Sequence, residues 1–237
     1  LMRQKTIKRP VHAIGIGVHC GLKVRMTLRP AEENAGIIFV RADLHGAKVR
    51  ARAGSVCDTT LSTTLSENGV KVATVEHLLS ALWGLGIDNL IVELNGEEVP
   101  IMDGSAAPFV DLIRSVGIEE QQAPRAFIRI KRDIEVRQGD ALAVLKPFAG
   151  FKARYTFVAD HPVYNCHPKE AELDFADVSY VNDVSKARSF GLIRDLEQAR
   201  AINRCLGSSL ENAVGIDDVK VVNEEGLRYE DEFVKHK

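Results

Sequence analysis

The sequence lacks the features that mark several large classes of protein. Its four cysteines, Cys20, Cys57, Cys166 and Cys205, are far apart and form no C-x-x-C pair, so neither a disulfide framework nor a cysteine-rich zinc site is predicted. No apolar run approaches the roughly 20 residues of a membrane span, and the opening LMRQKTIKRP lacks the apolar centre of a signal peptide. A soluble, cytoplasmic protein without stable membrane insertion is expected.

An excess of charge of one sign is lacking as well. The 237 residues include 31 Lys+Arg and 33 Asp+Glu, a formal net charge of -2. No overall attraction to nucleic acid or to an anionic membrane is therefore predicted. Hydrophobic residues make up 45% of the chain, enough for a buried core, and the length suits one large domain or two small ones.

The apolar pattern of the first half predicts strands and helices. Val24, Met26 and Leu28 share one face of a strand after the turn GIGVHCG, which indicates a hairpin. Two further strands are predicted at GIIFVRAD and NLIVELNG.

A second helix is predicted within GSAAPFVDLIRSVG, with Ser105 as its N-cap and the preceding Asp103-Gly104 as a turn that leads into it. The polar stretch EEQQAPR, residues 119–125, is predicted to be a linker. The expected domains are therefore residues 1–123 and 124–237.

The second half is predicted to repeat the architecture without repeating the sequence. Its expected elements are strands in AFIRIKRDIEV, ALAVLKPFAGF and KARYTFVAD, a helix at LIRDLEQARAIN and a terminal helix from about LRYEDEF. The predicted fold class is α+β.

The first helix carries the most informative local pattern, VEHLLSALW. At 3.6 residues per turn, its apolar residues form one stripe, made of Val75, Leu78, Leu79, Leu82 and Trp83. Glu76 and His77 lie off this stripe, next to the small residues Ser80 and Ala81, so another group is expected to approach that face. Thr74 is predicted to be the N-cap.

Two interpretations of Glu76 and His77 remain open at this point. A helix N-terminus favours an ionised carboxylate and a neutral imidazole, the states that a general base and a metal ligand require. Alternatively, Glu76 only complements the helix dipole and His77 makes an ordinary hydrogen bond. The pattern H-E-x-x-H is absent, because the glutamate precedes the histidine and Ala81 stands four residues after it.

His236 lies in the terminal segment GLRYEDEFVKHK and also has two interpretations. The segment reads as a surface helix whose charges suit its dipole, or His236 is the first of two ligands, with a partner four residues later. The sequence stops at Lys237 without a helix-ending Gly, Asn or Pro, so a truncated chain is expected.

Five phrases resemble one family: TVEHLLSAL, GLGIDN, VPIMDGSAAPFV, SKARSFGLIRD and NEEGLRYEDEFVKHK. They are similar to the UDP-3-O-acyl-N-acetylglucosamine deacetylases of Gram-negative bacteria, zinc enzymes of lipid A biosynthesis. The similarity runs from about residue 3 to the last residue. It implies two α+β domains of similar architecture, each a β-sheet layer packed against helices, with the active site in the cleft between them.

The resemblance implies a role for several residues of this sequence. Glu76 would be the general base, and His77 and His236 would bind Zn²⁺. A third ligand, an aspartate in H-K-x-x-D, and a later histidine would lie beyond residue 237. Ser189 stands where the family usually has threonine and keeps the hydroxyl that would stabilise the oxyanion.

Contacts with an acylated UDP-sugar are implied in the same way. Phe190 would pack near the sugar and Lys237 would face the diphosphate, while Leu192 replaces a common phenylalanine. His19, in the glycine-rich GIGVHCG, is a candidate for a nucleotide contact. The wall of a hydrophobic passage for the acyl chain would include Leu196, Cys205, Ser209 and Ala213.

The resulting hypothesis is zinc-dependent hydrolysis of the N-acetyl group of UDP-3-O-acyl-N-acetylglucosamine, the committed step of lipid A biosynthesis. The enzyme is expected to be a monomer in the cytoplasm, near the inner membrane surface. The alternative is a truncated, inactive fragment that keeps part of the substrate contacts. Two histidines without the aspartate make a weak zinc site, so slow turnover or none is predicted for the 237-residue chain alone.

Overall fold

Within the residues that the structure describes, the first half of the chain contains ten strands and two α-helices. The computed structural model describes residues 2–237. In this half the strands are β1 (Arg3–Ile7), β2 (Val11–Ile16), β3 (Lys23–Pro30), β4 (Ile37–Arg41), β5 (Ala47–Arg50), β6 (Val56–Asp58), β7 (Thr64–Glu67), β8 (Val70–Ala73), β9 (Leu90–Leu94) and β10 (Ile118–Pro124). The helices are α1 (Glu76–Leu85) and α2 (Ala107–Val116). The predicted α+β class is confirmed.

A five-stranded sheet in the order β2-β3-β9-β4-β5 is the framework of this half. Strands β2 and β3 form the predicted hairpin, with Ala13 opposite Met26. The two further predicted strands are β4 and β9, which are parallel neighbours with Phe39 opposite Val92. Parallel strands need a crossover connection, and the segment that joins β4 to β9 includes α1.

The sheet and both helices share one hydrophobic core. Its buried members include Val24, Met26, Leu28, Leu78, Leu82, Phe109 and Ile113. Each fully buried apolar side chain of this size contributes roughly 1.5–3 kcal/mol to stability. Helix α1 is therefore held firmly, which gives Glu76 and His77 in its first turn a defined place.

The start of α1 differs from the prediction at Thr74. The N-cap is Val75, and no side chain makes the capping hydrogen bond. Thr74 has a φ of 58°, in the left-handed region that β-branched residues rarely adopt. Its Oγ1 donates to Glu98 Oε1 at 2.9 Å. The predicted Thr74 cap is wrong because a carboxylate from another part of the chain takes the hydroxyl.

The predicted apolar stripe of α1 is wrong at one end. Trp83 is 44% exposed, whereas Ala81 is fully buried in the core. The indole packs against rings of the second half, with centroid distances of 4.6 Å to Phe151, 4.9 Å to Phe175 and 6.1 Å to Tyr180. Trp83 thus contributes to the contact between the two halves rather than to the core.

Small residues on α1 allow a close approach by Tyr180. The Ser80 Oγ and the Tyr180 hydroxyl are 2.6 Å apart. A Cβ on Gly84 would overlap the Tyr180 ring, so only glycine fits there without a shift. The expectation that another group approaches the face with Ser80 is confirmed.

Six of the seven residues of the predicted linker, 119–124, lie in a strand. Strand β10 pairs antiparallel with β1, with Thr6 opposite Glu119. Its polar side chains form hydrogen bonds with earlier residues of the same half; for example, Gln121 Nε2 donates to the Ala31 carbonyl at 2.9 Å. The linker prediction is wrong because a two-stranded ladder satisfies the backbone of a segment without apolar periodicity. The domain boundary near residue 124, where β10 ends, stays a prediction.

The cap of α2 also differs from the prediction. The N-cap position is Ala106 rather than Ser105. Ser105 Oγ accepts from Ala107 N at 3.2 Å and donates to Asp103 Oδ1 at 2.7 Å. Ser105 therefore supports the first turn from one position earlier.

The second half contains pairs of strands and short helices. The strands are β11 (Ile134–Gln138), β12 (Ala141–Leu145), β13 (Lys152–Thr156), β14 (Glu170–Asp174), β15 (Phe190–Leu192) and β16 (Val214–Ile216). The helices are α3 (Pro162–Asn165), α4 (Tyr180–Asp183), α5 (Ile193–Ala201) and α6 (Glu232–His236). The pairs β11–β12 and β13–β14 are antiparallel, and β15–β16 is parallel.

Two predicted elements of the second half begin later in the structure. The first strand begins at Ile134 instead of near residue 126, and the terminal helix begins at Glu232 instead of near residue 227. The acidic residues before Glu232 lie in turns. The two-domain arrangement with a cleft stays a prediction.

The helices of residues 2–237 are all short; the longest, α1 and α2, have 10 residues each. None of those described is long and apolar enough to cross a membrane.

Candidate active site

Three segments that are distant in sequence meet at the N-terminus of α1. They are the first turn of α1, the residues just before β15, and α6. The ring centroids of His77 and His236 are 5.2 Å apart. The Ser189 Oγ lies 3.5 Å from His77 Nε2. Two imidazoles and a hydroxyl therefore share one site, and the Glu76 carboxylate lies close enough to Lys237, the residue after His236, for their charges to interact.

Both histidines are held in the neutral form. Loss of solvent around the ring lowers the pKa of His77 to about 3, and the nearby His236 acts in the same direction. The same desolvation lowers the pKa of His236 to about 4. His236 Nδ1 donates to the Ala187 carbonyl at 3.2 Å, which leaves its Nε2 as a free electron-pair donor. Neutral imidazoles are the form that binds metal ions.

Glu76 is half-buried at the start of α1. Its Oε2 accepts from Thr63 N at 3.1 Å. Burial raises the pKa of the Glu76 carboxyl, with Glu98 adding to the rise and Lys237 opposing it. A carboxylate with a raised pKa binds a proton more strongly than an exposed one, which suits proton abstraction near neutral pH.

Ser189 is fixed through its backbone. Its N–H donates to the Gly104 carbonyl at 2.8 Å, and its carbonyl accepts from Val214 N at 2.7 Å. Gly104 has a φ of 86°, and a Cβ there would overlap the Asn212 carbonyl oxygen. The sequence predicts Asp103-Gly104 only as a turn, but the Gly104 carbonyl also accepts the hydrogen bond that fixes Ser189. The family phrase VPIMDGSAAPFV was the signal that could have shown this.

Aromatic rings surround Phe190, the predicted sugar contact. Its ring centroid lies 5.6 Å from that of Tyr164, 4.9 Å from that of Phe233 and 5.8 Å from that of His236. The Lys237 ammonium lies 5.2 Å from the Phe190 ring centroid. The structure thus brings Phe190 and Lys237 together beside the two histidines.

His19 lies in the hairpin turn and contacts the loop that contains Cys205. His19 is 7% exposed, and its Nδ1 accepts from Cys205 N at 3.1 Å. Desolvation lowers the pKa of His19. Leu196 and Ala213 are half-buried, and Ser209 is exposed. The nucleotide contact of His19 and the acyl passage stay predictions.

Glu98 is a residue that the sequence reasoning missed. It is 3% exposed. Its carboxylate accepts from His19 N at 2.9 Å, from Cys20 N at 2.9 Å and from Thr74 Oγ1 at 2.9 Å. Glu98 therefore ties the hairpin turn to the start of α1, just before Glu76. No local pattern around Glu98 indicates this, since its partners come from two other segments.

The donor set for a metal ion is limited. Within residues 2–237 no group of three or more His, Cys, Asp or Glu side chains is arranged to hold one. His77 and His236 are the pair that the site offers.

A carboxylate, a hydroxyl and two neutral imidazoles are groups that metal-dependent hydrolases use as base, oxyanion donor and metal ligands. The family model described as LpxC: UDP-3-O-acyl N-acetylglycosamine deacetylase matches residues 4–237. The chain belongs to this family.

Curated relatives agree with this assignment. The chain is 54% identical over 238 residues to the UDP-3-O-acyl-N-acetylglucosamine deacetylase of Marinobacter nauticus, 54% identical to that of Hahella chejuensis and 56% identical to that of Chromohalobacter salexigens. Each comparison covers 100% of this chain and 78% or 79% of the relative.

Proposed function

We propose that this protein hydrolyses the N-acetyl group of UDP-3-O-acyl-N-acetylglucosamine and releases acetate, the committed step of lipid A biosynthesis in Gram-negative bacteria. The observation that carries the proposal is the convergence of Glu76, His77, Ser189 and His236, with the two imidazoles 5.2 Å apart. The names of the relatives supply the substrate.

We propose Zn²⁺ as the cofactor, held by His77 and His236. The lowered pKa of each imidazole and the hydrogen bond from His236 Nδ1 to Ala187 fit this role, because they leave ring nitrogens free to bind a metal. When bound, the ion lowers the pKa of a coordinated water toward ~7 and polarises a carbonyl. Catalytic zinc sites typically use three protein ligands, of which His77 and His236 would be two.

The residues of this chain would divide the work of amide hydrolysis. Glu76 would take the proton of the attacking water, and this proton would pass to the sugar nitrogen as the C–N bond breaks. The Ser189 hydroxyl would donate to the oxyanion that forms on the acetyl carbon; such donors are worth roughly 3 to 4 kcal/mol in other hydrolases. Phe190 would pack against the sugar, and the Lys237 ammonium would attract the diphosphate. Leu196, Cys205, Ser209 and Ala213 would line the acyl passage, with His19 close to Cys205.

We also propose that the enzyme works in the cytoplasm near the inner membrane surface. An acyl chain favours a membrane surface in proportion to its buried CH₂ groups. This support comes from the proposed substrate rather than from the site.

Two variants distinguish the proposed role of Glu76 as the base from that of His77 as a zinc ligand. Glu76→Gln is expected to keep zinc and to lower kcat by about 10²- to 10⁴-fold, since it removes the proton acceptor. His77→Ala is expected to lose zinc and activity together. Zinc content is measured by elemental analysis and turnover by acetate release, both in this chain and in a version extended to the length of the relatives.

Matched exposed residues provide the controls. Glu197→Gln and His45→Asn should leave zinc content and turnover unchanged. Equal zinc content and undiminished turnover in the Glu76 and His77 variants would contradict the proposal.

A further inference from the structure

A buried ion pair joins the segment before β15 to α6. Arg188 is 3% exposed and Glu232 is fully buried. Arg188 Nε donates to Glu232 Oε1 at 2.9 Å, and Arg188 Nη2 donates to Glu232 Oε2 at 3.2 Å. The Arg188 backbone N–H also donates to Glu232 Oε1, at 3.0 Å. The carboxylate therefore binds both the side chain and the main chain of one residue.

The remaining hydrogen bonds of the pair reach a second segment. Arg228 N donates to Glu232 Oε2 at 2.6 Å. Arg188 Nη1 donates to Glu225 Oε1 at 2.8 Å and Arg188 Nη2 to the Gly226 carbonyl at 2.7 Å. Both oxygens of Glu232 thus have at least two donors each, and the buried charge is fully paired.

The pair lies between two groups of the site. Ala187 accepts from His236 Nδ1, Arg188 binds Glu232, and the hydroxyl of Ser189 lies beside His77. Glu232 precedes His236 by four residues, so the two side chains share one face of α6. Three consecutive residues, 187–189, therefore each contact a different part of the site.

Helix α6 cannot set its own orientation. It has five residues, and helices much longer than this are marginal without tertiary contacts. Buried apolar contacts of Phe233 and Val234 hold it, but they have no fixed direction. A carboxylate that receives four hydrogen bonds has a narrow range of allowed positions. A buried ion pair is weak evidence for stability, because apolar residues often replace one without loss.

We propose that Glu232 is a positioning residue, which acts through Arg188 to fix the His236 imidazole and the Ser189 hydroxyl relative to each other. The inference rests on the proposed function, in which His236 binds the metal ion and Ser189 contacts the oxyanion. Glu232 itself touches neither substrate nor metal.

The main variant is Glu232→Gln, which keeps the shape of the side chain and removes its charge. The matched control is Glu225→Gln, because Glu225 also pairs with Arg188 but its side chain is 59% exposed. Three readouts are compared: the Nδ1–H and Nε2–H populations of His236 by NMR in metal-free protein, the affinity and visible spectrum of bound Co²⁺, and kcat and KM.

In Glu232→Gln we expect a mixture of His236 tautomers, Co²⁺ affinity lowered by about 10- to 100-fold with an altered spectrum, and a fall mainly in kcat. Glu225→Gln should change each readout by less than about twofold. Should Glu232→Gln fail to fold, Arg188→Lys provides the same test, since it keeps a buried cation and the backbone hydrogen bond.

A purely structural role predicts a different result. A folded Glu232→Gln protein of reduced stability with the wild-type tautomer, Co²⁺ spectrum and kcat would overturn the proposal. The tautomer measurement needs neither metal nor substrate. Failure of the proposed function, seen as absent turnover in the extended wild-type protein, is therefore distinguishable from failure of the positioning role.

Discussion

Gly104→Ala is expected to disturb the site through the backbone that holds Ser189. Gly104 is buried and has a φ of 86°. A Cβ at this position would overlap the carbonyl oxygen of Asn212 and lie 2.8 Å from its carbonyl carbon. Both obstacles are backbone atoms, so no side-chain rotation removes the overlap. The Gly104 carbonyl accepts from Ser189 N at 2.8 Å, so a shift of this loop moves Ser189 as well.

The loss of stability expected in Gly104→Ala has two parts, and a control variant can separate them. A left-handed conformation costs a residue with a Cβ roughly 1–2 kcal/mol, partly offset by about 0.4–1 kcal/mol from the stiffer unfolded chain. The overlap adds about 1–3 kcal/mol, the usual range for overpacking. We therefore expect Gly104→Ala to lower the free energy of unfolding by about 2–4 kcal/mol. Gly36 has a φ of 72°, and a Cβ added there would meet no atom within 4 Å, so Gly36→Ala should lower it by about 1 kcal/mol.

Urea unfolding, followed by the fluorescence of the single tryptophan, Trp83, gives the two values. Trp83 packs against rings of the second half, so its emission reports on the contact between the two halves. Turnover of the folded variants completes the test: Gly104→Ala should lower kcat because Ser189 moves, and Gly36→Ala should not. Equal losses of stability in the two variants, or a Gly104→Ala protein with normal kcat, would refute the reasoning.

Two further predictions concern stability. Metal-free protein should lose stability as the pH falls from about 6.5, because the two histidines then bind protons in the unfolded chain but not in the folded protein, where the pKa is about 3 for His77 and about 4 for His236. Each histidine lowers the free energy of unfolding by about 1.4 kcal/mol per pH unit. The raised pKa of Glu76 acts in the opposite direction. Urea titrations at pH 7 and pH 5 measure this, and equal stability at both would contradict it. Tyr180→Phe should lower the free energy of unfolding by about 0.5–1.5 kcal/mol through loss of the hydrogen bond with Ser80, and an unchanged urea midpoint would contradict that.

Local periodicity predicts those elements in which the pattern of apolar residues determines which face is buried. The hairpin of β2 and β3, strands β4 and β9, and the buried side of α1 are of this kind, because alternation or a 3.6-residue repeat decides which side chains are apolar. It failed at Trp83, since a ring at the edge of the stripe can pack on the second half instead of the core. It also failed at residues 118–124, where pairing with β1, rather than apolar burial, makes the strand.

The site itself depends on contacts that periodicity does not encode. The pattern indicates Glu76 and His77 as candidates, but on its own it favours an ordinary first turn. The catalytic interpretation is favoured by the proximity of Ser189 and His236 to His77. Both residues belong to segments more than a hundred residues after α1. Family phrases connected these segments, and the structure supplies the distances.

The same dependence on distant contacts explains why the sequence does not indicate the role of Glu232. In sequence it is one acid in the run EDE, which reads as a charged, solvated helix start. In the structure it is fully buried and pairs with Arg188, 44 residues earlier. The backbone N–H groups of Arg188 and Arg228 both donate to the Glu232 carboxylate. Loss of this side chain would leave the two N–H groups without an acceptor. A carboxylate is needed there because one side chain must accept from both N–H groups and a guanidinium at once, which an apolar replacement cannot do.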